Sequence, residues 1–426
     1  MKRSLAVLLG SILALAMILT GCGKSDTAAS EGSDSSDGGK LEIFSWWTAG
    51  GEADGLNALI DVFNKKQPDI EVKNEAVAGG AGSNAKAVLA TRMQGGNPPS
   101  TFQVHGGAEL MAYVDAGKME PLNDLFKKNG WDGKFPEDLI DMVSKDGKIY
   151  GIPVDIHRGN VLWYNKKVFD DNNLQPPKTF DEFFDVADKL KAKGITPLAI
   201  GDKEVWGSTM VFENILLAEL GPDKYKQLWT GEVTFDDPAV KKSAEIFKKM
   251  IGYINDDHSS LAWQDASQLV ADGKAAMNIM GDWAKGYFTS KNLKYNEDFG
   301  AVPTPESDGS FMVVADTFGK PKGVKNPDQV DKFLTVLGSV DGQDAFNPKK
   351  GSIPANVDGD TSKYDDYSKQ AMDDFKTDSL TPSLAHGSAA PQGFMTKVDE
   401  AVNVFVTQKN VDNFIQSLTQ ASSLLK

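Results

Sequence analysis

Short apolar runs alternate with longer stretches of helical spacing, and that rhythm leaves few folds open. The run at residues 41–44, "LEIF", reads as a strand. Leu56, Leu59, Ile60 and Phe63 then recur at helical intervals, and Ile70 and Val72 resume a strand alternation. In "PPKTFDEFFDVADKLKAKG", Thr179 and Glu182 have the spacing of a capping box. Phe180, Phe183, Phe184 and Leu190 give that helix its apolar face, and Gly194 stops it. Asp237-Pro238 has the form of a cap and a first-turn proline, opening a helix that buries Val240, Ala244, Phe247 and Ile251. Strands alternating with helices of this length predict an α/β fold with parallel sheets covered on both sides. A chain of 426 residues should divide into two domains.

In such sheets ligands bind beyond the carboxyl ends of the strands, so strand ends are where a site is expected. "EIFSWWTAGGEADG" places Trp46 and Trp47 after the first strand, then Gly50, Gly51 and Glu52. In "TFQVHGG", Gln103 and His105 lie two apart and share one face of a strand, with two glycines following. "GIPVDIHRGN" reaches His157 before a glycine, and "KAAMNIMGDW" runs out through Gly281 to Asp282 and Trp283. Each apolar run delivers a polar or aromatic side chain where glycine leaves room, and the repetition points to one cleft. Taken singly, each has a plainer reading: a tryptophan pair in the core, a structural histidine, Asp282 as a helix cap. His258, in "NDDHSS", keeps the plainer reading.

A net charge of −15 argues against nucleic acid as a partner and fits a solvated acidic surface. The single cysteine rules out an internal disulfide and a zinc site built on several thiolates; no metal site is read from the sequence. That cysteine ends "MKRSLAVLLGSILALAMILTGC", where Lys2 and Arg3 precede an apolar run at residues 5–19. The run is shorter than the roughly 20 residues of a membrane span and fits a secretory signal over residues 1–21. Leu19-Thr20-Gly21-Cys22 looks like a bacterial lipobox, which implies an acylated Cys22. Residues 22–40 are rich in Ser, Gly and Asp and carry almost no apolar bulk, so they are expected to be a lipidated flexible tether. The folded part is therefore expected outside the cell's inner compartment, held by lipid at the outer face of the bacterial cytoplasmic membrane.

Indole faces pack on the C–H faces of a sugar ring, and carboxylates, imidazoles, amides and ammonium groups pair with its hydroxyls. Apolar walls with a few placed polar groups are the general form of a small-molecule site, and many hydroxyl partners are what a carbohydrate asks for. The lookalikes fail. "GGAGSNAK" lacks the lysine–hydroxyl pair of a phosphate loop and reads as a turn into the helix carrying Arg92 and Met93. "DGDTSKYDD" has no glycine at the sixth place of a calcium loop. No Gly-x-Ser-x-Gly elbow or His-Glu-x-x-His is present. No catalytic residue and no cofactor are assigned, although a secreted carbohydrate-active enzyme using two carboxylates, or a surface adhesin, stays open beside a binding protein.

The lipobox and tether, the opening "LEIFSWWTAGGEADGLNALIDVFNKKQPDIEV", the segment from "YGIPVDIHRGN" to "KLKAKG" and "VADGKAAMNIMGDWAKGYF" together resemble the extracellular solute-binding proteins of ATP-driven sugar importers. That family includes the maltose-binding protein. "SWWTAGGE", "TFQVHGGAEL", "FNPKKGSIPA" and "SLAHGSAAPQGFM" are similar to the branch that binds glucose and related monosaccharides. The resemblance implies a two-lobed periplasmic-binding-protein fold (type II-like) with crossings near residues 151–153, 313–316 and 351–354. One lobe would hold residues 41–152 and 315–351, the other 153–314 and 352–426. It also adds Trp263, Asp316, Lys350 and His386 to the expected ligand set. The partners it implies are a monosaccharide and the permease subunits of an ATP-binding-cassette importer, with the receptor a monomer. A di- or oligosaccharide in a longer groove is the alternative within the same class.

Overall fold

The computed structural model describes residues 39–425; Cys22, the expected signal segment and nearly all of the expected tether lie outside them. Lys40, assigned to the tether from sequence, is the first residue of a strand. That strand, Lys40–Ser45, pairs in parallel with Glu71–Ala76, Leu41 opposite Val72 and Ile43 opposite Asn74. Leu41 and Ile43 are fully buried, as the alternation of a half-covered strand requires. Thr101–His105 lies on the other side, and Asp316–Gly319 and Ile152–Pro153 complete a five-stranded sheet.

A second sheet orders Phe299–Pro303, Val161–Asn165, Ala275–Ile279 and Thr196–Leu198. A third orders Ile353–Pro354, Asp155–Arg158, Ser310–Val314 and Ser379–Pro382. These sheets are mixed, which corrects the expectation of parallel ones. Asp316–Gly319 runs antiparallel to Thr101–His105, because it enters the first sheet from the far lobe rather than through a βαβ crossover. The chain leaves the first sheet at Pro153, enters the third at Asp155, and returns between Val314 and Asp316. The two crossings are stitched together: Val154 N–H donates to the Asp316 carbonyl at 2.9 Å. Asp316 N–H in turn donates to Asp155 Oδ1 at 2.8 Å.

Helices cover the sheets on separate cores. Gly50–Lys66 buries Leu56, Leu59 and Phe63, the last edge-on to Phe333 of helix Pro327–Leu337 at 5.5 Å. In the other lobe Phe180–Ala192 begins with the reciprocal cap read from sequence: Glu182 N–H donates to Thr179 Oγ1, and the Glu182 carboxylate accepts from Thr179 N–H. Asp237 caps Pro238–Met250 through the Ala239 N–H at 2.8 Å. That helix shares a core with Trp206–Thr230, Gln392–Gln408 and Val411–Ala421, where Phe405 and Phe414 stack at 4.4 Å. No helix among the described residues is long and apolar enough to cross a membrane.

Candidate functional site

Trp46 leaves the end of the first strand, His105 ends the neighbouring strand Thr101–His105, and Asp316 sits opposite His105 in the ladder. The sheet edge thus delivers an indole, an imidazole and a carboxylate to one place. From the other lobe come Trp283, at the start of helix Trp283–Ser290, Trp263, at the start of Trp263–Ala271, and His386, in the loop after Ser379–Pro382. With Glu52 and Lys350 these residues enclose a narrow hollow of about 20 Å³. Its aromatic wall is continuous. Trp46 lies 5.0 Å from His105, His105 5.4 Å from His386, and His386 4.8 Å from Trp283, ring centre to ring centre.

The polar groups are held from behind. His105 Nδ1 is 2.8 Å from Glu109 Oε2, which pairs with Lys86 at 2.9 Å. Burial favours the neutral Glu109 carboxyl, but Lys86 and His105 outweigh it and hold it below its ordinary value. Lys350 Nζ meets Glu52 Oε1 at 3.2 Å. Burial raises the Glu52 carboxyl even so, with Lys350 pulling the other way. Burial and the Asp155 carboxylate raise Asp316 against Lys350 and the two histidines. His386 is kept neutral by burial and by the nearby His105 and Lys86. A neutral imidazole has one donor and one acceptor, and Ser383 Oγ occupies its Nδ1 at 2.9 Å.

Four expected site residues do not line the hollow. Trp47 is 1% exposed and sits in the core between Phe346 at 5.0 Å and Phe318 at 5.8 Å. The strand ends at Ser45 and the chain bends at Trp46, so the Trp46 ring reaches the hollow while Trp47 turns into the core. Gln103 stands behind the wall, donating to Asp316 Oδ1 at 2.7 Å and accepting the Trp46 N–H at 3.1 Å. His157 and Asp282 are bonded to each other one layer below, with Trp283 packed edge-on over the imidazole at 5.3 Å. Burial and Lys350 oppose a charge on His157, yet Asp155 and Asp282 prevail and raise it to about 9.

Sequence reasoning missed Trp206, Ala81 and Val314, which also line the hollow. Trp206 opens a helix rather than closing a strand. A signal for it lay in "GGAGSNAK". A Cβ on Gly82, whose φ is +75°, would sit 2.7 Å from the Trp46 ring, and one on Gly80 2.7 Å from Trp206 Nε1. The glycines that cradle no phosphate are the floor on which two indoles rest.

Indoles tilted and edge-on around imidazoles, with paired charges among them, offer apolar faces and hydrogen-bonding groups to a polyhydroxylated molecule. The family model of the bacterial extracellular solute-binding proteins matches residues 49–344. The chain belongs to that family. An uncharacterized ABC transporter extracellular-binding protein of Pyrococcus horikoshii is 40% identical over 99% of this chain and 96% of its own. A probable sugar-binding periplasmic protein of Mesorhizobium japonicum is 33% identical over 90% of this chain and 93% of its own. Among solved structures the bacterial solute receptor AcbH, described with an exclusive preference for β-D-galactopyranose, superposes with a TM-score of 0.82. It is 20% identical, covering 90% of this chain and 98% of its own, and carries the fold alone. This extracellular solute-binding protein is accordingly a sugar-binding receptor of an ABC importer, built on the two-lobed fold.

In this solute-binding protein a buried acid also sets the loop that presents His386. Glu213, in helix Trp206–Thr230, accepts from the N–H groups of Leu384 at 2.6 Å and Ala385 at 3.1 Å, and from the Ser383 hydroxyl at 2.8 Å. Burial pushes its carboxyl up to about 7, with those donors pulling back. The native state therefore keeps a proton that the unfolded chain releases near 4.5. Stability from this group is complete below that value and falls as pH rises through about 7, by about 3 kcal/mol in all. Glu213→Gln should remove the slope, so its urea midpoint should gain on the wild type between about pH 5 and about pH 8. A difference that stays flat over that range overturns the assignment.

Proposed function

We propose that this protein is the receptor for a monosaccharide, glucose or a close epimer, held at the membrane by an acylated Cys22 and delivering its sugar to an ATP-binding-cassette permease. The observation that carries the reading is the lining of the hollow. Trp46, Trp263 and Trp283 offer apolar faces to a pyranose, while Glu52, His105, Asp316, Lys350 and His386 offer partners for its hydroxyls. Residues 41–152 with 315–351 would form one lobe, and 153–314 with 352–426 the other. Sugar shifts the lobes toward closure because only the closed form touches it from both sides. No bond is made or broken.

Calorimetry against a sugar panel tests this. Glucose or one epimer should bind well above maltose, and each wrongly placed hydroxyl should cost about 1–3 kcal/mol by leaving a buried polar group unpaired. A maltose affinity well above that for every monosaccharide overturns the reading. One observation favours the longer ligand: beyond Ala81 and Trp206 the seam between the lobes opens into a groove lined by Met93, Tyr113, Met395 and Asp399. A second ring reaching past Trp206 would lie there.

A further inference from the structure

Behind Asp316, where the chain crosses between sheets, Asp155, His157 and Asp316 converge. One ligand-capable atom from each lies within 4.8 Å of the others. Asp155 Oδ2 is 3.4 Å from His157 Nε2, which is 4.0 Å from Asp316 Oδ2. The remaining atom of each residue is already engaged. His157 Nδ1 is bonded to Asp282, Asp155 Oδ1 accepts the Asp316 N–H, and Asp316 Oδ1 accepts from Gln103. Among the described residues Asp155 Oδ2 and His157 Nε2 make no hydrogen bond, although the residues are 0% and 1% exposed and the two atoms stand 3.4 Å apart. Buried polar atoms are seldom left so. Three buried carboxylates, Asp155, Asp282 and Asp316, crowd this one imidazole.

We propose that Asp155, His157 and Asp316 bind a divalent first-row transition-metal cation, of which Zn²⁺ is the type. One imidazole nitrogen with two carboxylate oxygens suits such an ion, whereas calcium and magnesium prefer oxygen alone. Ligands at roughly 2.0–2.2 Å from zinc stand about 3.3–3.6 Å apart in a tetrahedral arrangement, so a small contraction completes the set. His157 would then be neutral, its Nδ1–H donating to Asp282, which fixes the tautomer and turns Nε2 toward the ion. The ion ties strand Asp155–Arg158 to strand Asp316–Gly319 across the crossings. Asp316 also lines the hollow, so metal and sugar change each other's affinity by one common factor. The metal site itself does not depend on which sugar binds.

Sugar-free protein stripped with a chelator and titrated with CoCl₂ gives the direct test. A saturable visible absorption band at one ion per chain, displaced by ZnCl₂ and accompanied by a rise in melting temperature, is the expected result. His157→Gln should weaken binding at least 100-fold, and Asp282→Asn, which touches no ion, about 10–100-fold, by releasing the ring. Asp155→Asn, nearly isosteric, removes a ligand without emptying the layer and serves if His157→Gln fails to fold. Absence of a saturable band in the wild type overturns the proposal, and so does wild-type affinity in Asp155→Asn. Sugar calorimetry on the stripped protein reads the receptor function separately.

Discussion

Trp47→Ala is expected to destabilise the sugar-free protein by about 3–5 kcal/mol, the range for deleting a large aromatic side chain from a packed core. The indole is 1% exposed and wedged between Phe346 and Phe318, with Lys350 Nζ 5.3 Å above its ring. Deleting it leaves a void between strand Asp316–Gly319 and helix Val340–Lys350, which close packing lets the surroundings fill only in part. Urea unfolding without sugar, compared at constant m, measures the loss. Trp46→Ala is the contrast. Its ring lines the hollow, so it should lose about 1–3 kcal/mol of sugar affinity, as other stacking contacts do, while the melting of the sugar-free form changes less. If Trp47→Ala instead unfolds with the wild type and loses only sugar, the indole faces the ligand and its core placement is wrong.

The two tryptophans show what was legible in the sequence and what was not. Looking beyond strand ends led to the hollow through Trp46, His105 and Trp283, because a strand whose apolar face is buried must discharge its polar residues where the sheet stops. The bend at Trp46, just past the strand, parts the pair, so "WW" supplies one wall and one core residue, and that bend is not legible in the local pattern. His157 illustrates the limit of the same rule. It lies within Asp155–Arg158 rather than at its end, and so falls one layer beneath the surface that Trp283 covers. Trp206 was missed because it begins a helix, and its place opposite Gly80 depends on how two distant segments dock. The antiparallel entry of Asp316–Gly319 was hidden for a related reason: local periodicity fixes that a strand exists, not the direction from which it arrives. Lys350 and His386 came only from the family resemblance, since a lysine near a helix end ordinarily reads as a solvated charge.

Lys350→Met should lower sugar affinity by about 10- to 150-fold, while the methionine stem keeps the packing against the indoles. The ammonium is 2% exposed, 3.2 Å from Glu52, and within 6.0 Å of the Trp283 ring that lines the hollow. Burial alone would depress its pKa, but Glu52, Asp316 and Asp155 raise it, so it stays charged throughout the neutral range. Removing it takes away a charged donor, worth about 1.5–3 kcal/mol to a hydroxyl, and strands the Glu52 and Asp316 carboxylates without their cation. Breaking one side of a buried pair costs about 3–5 kcal/mol, chiefly from the charge left behind. The two effects separate in a double variant. Glu52→Gln with Lys350→Met should recover most of the lost stability, because no unpaired carboxylate remains at position 52, yet it should recover little affinity if the ammonium touches the sugar. Acidification should likewise help the single variant, since both carboxyls already sit above their ordinary values and protonate as pH falls. Calorimetry with the tightest-binding sugar of the panel decides it: affinity of Lys350→Met within about threefold of wild type, a difference under 1 kcal/mol, would remove Lys350 from the binding set.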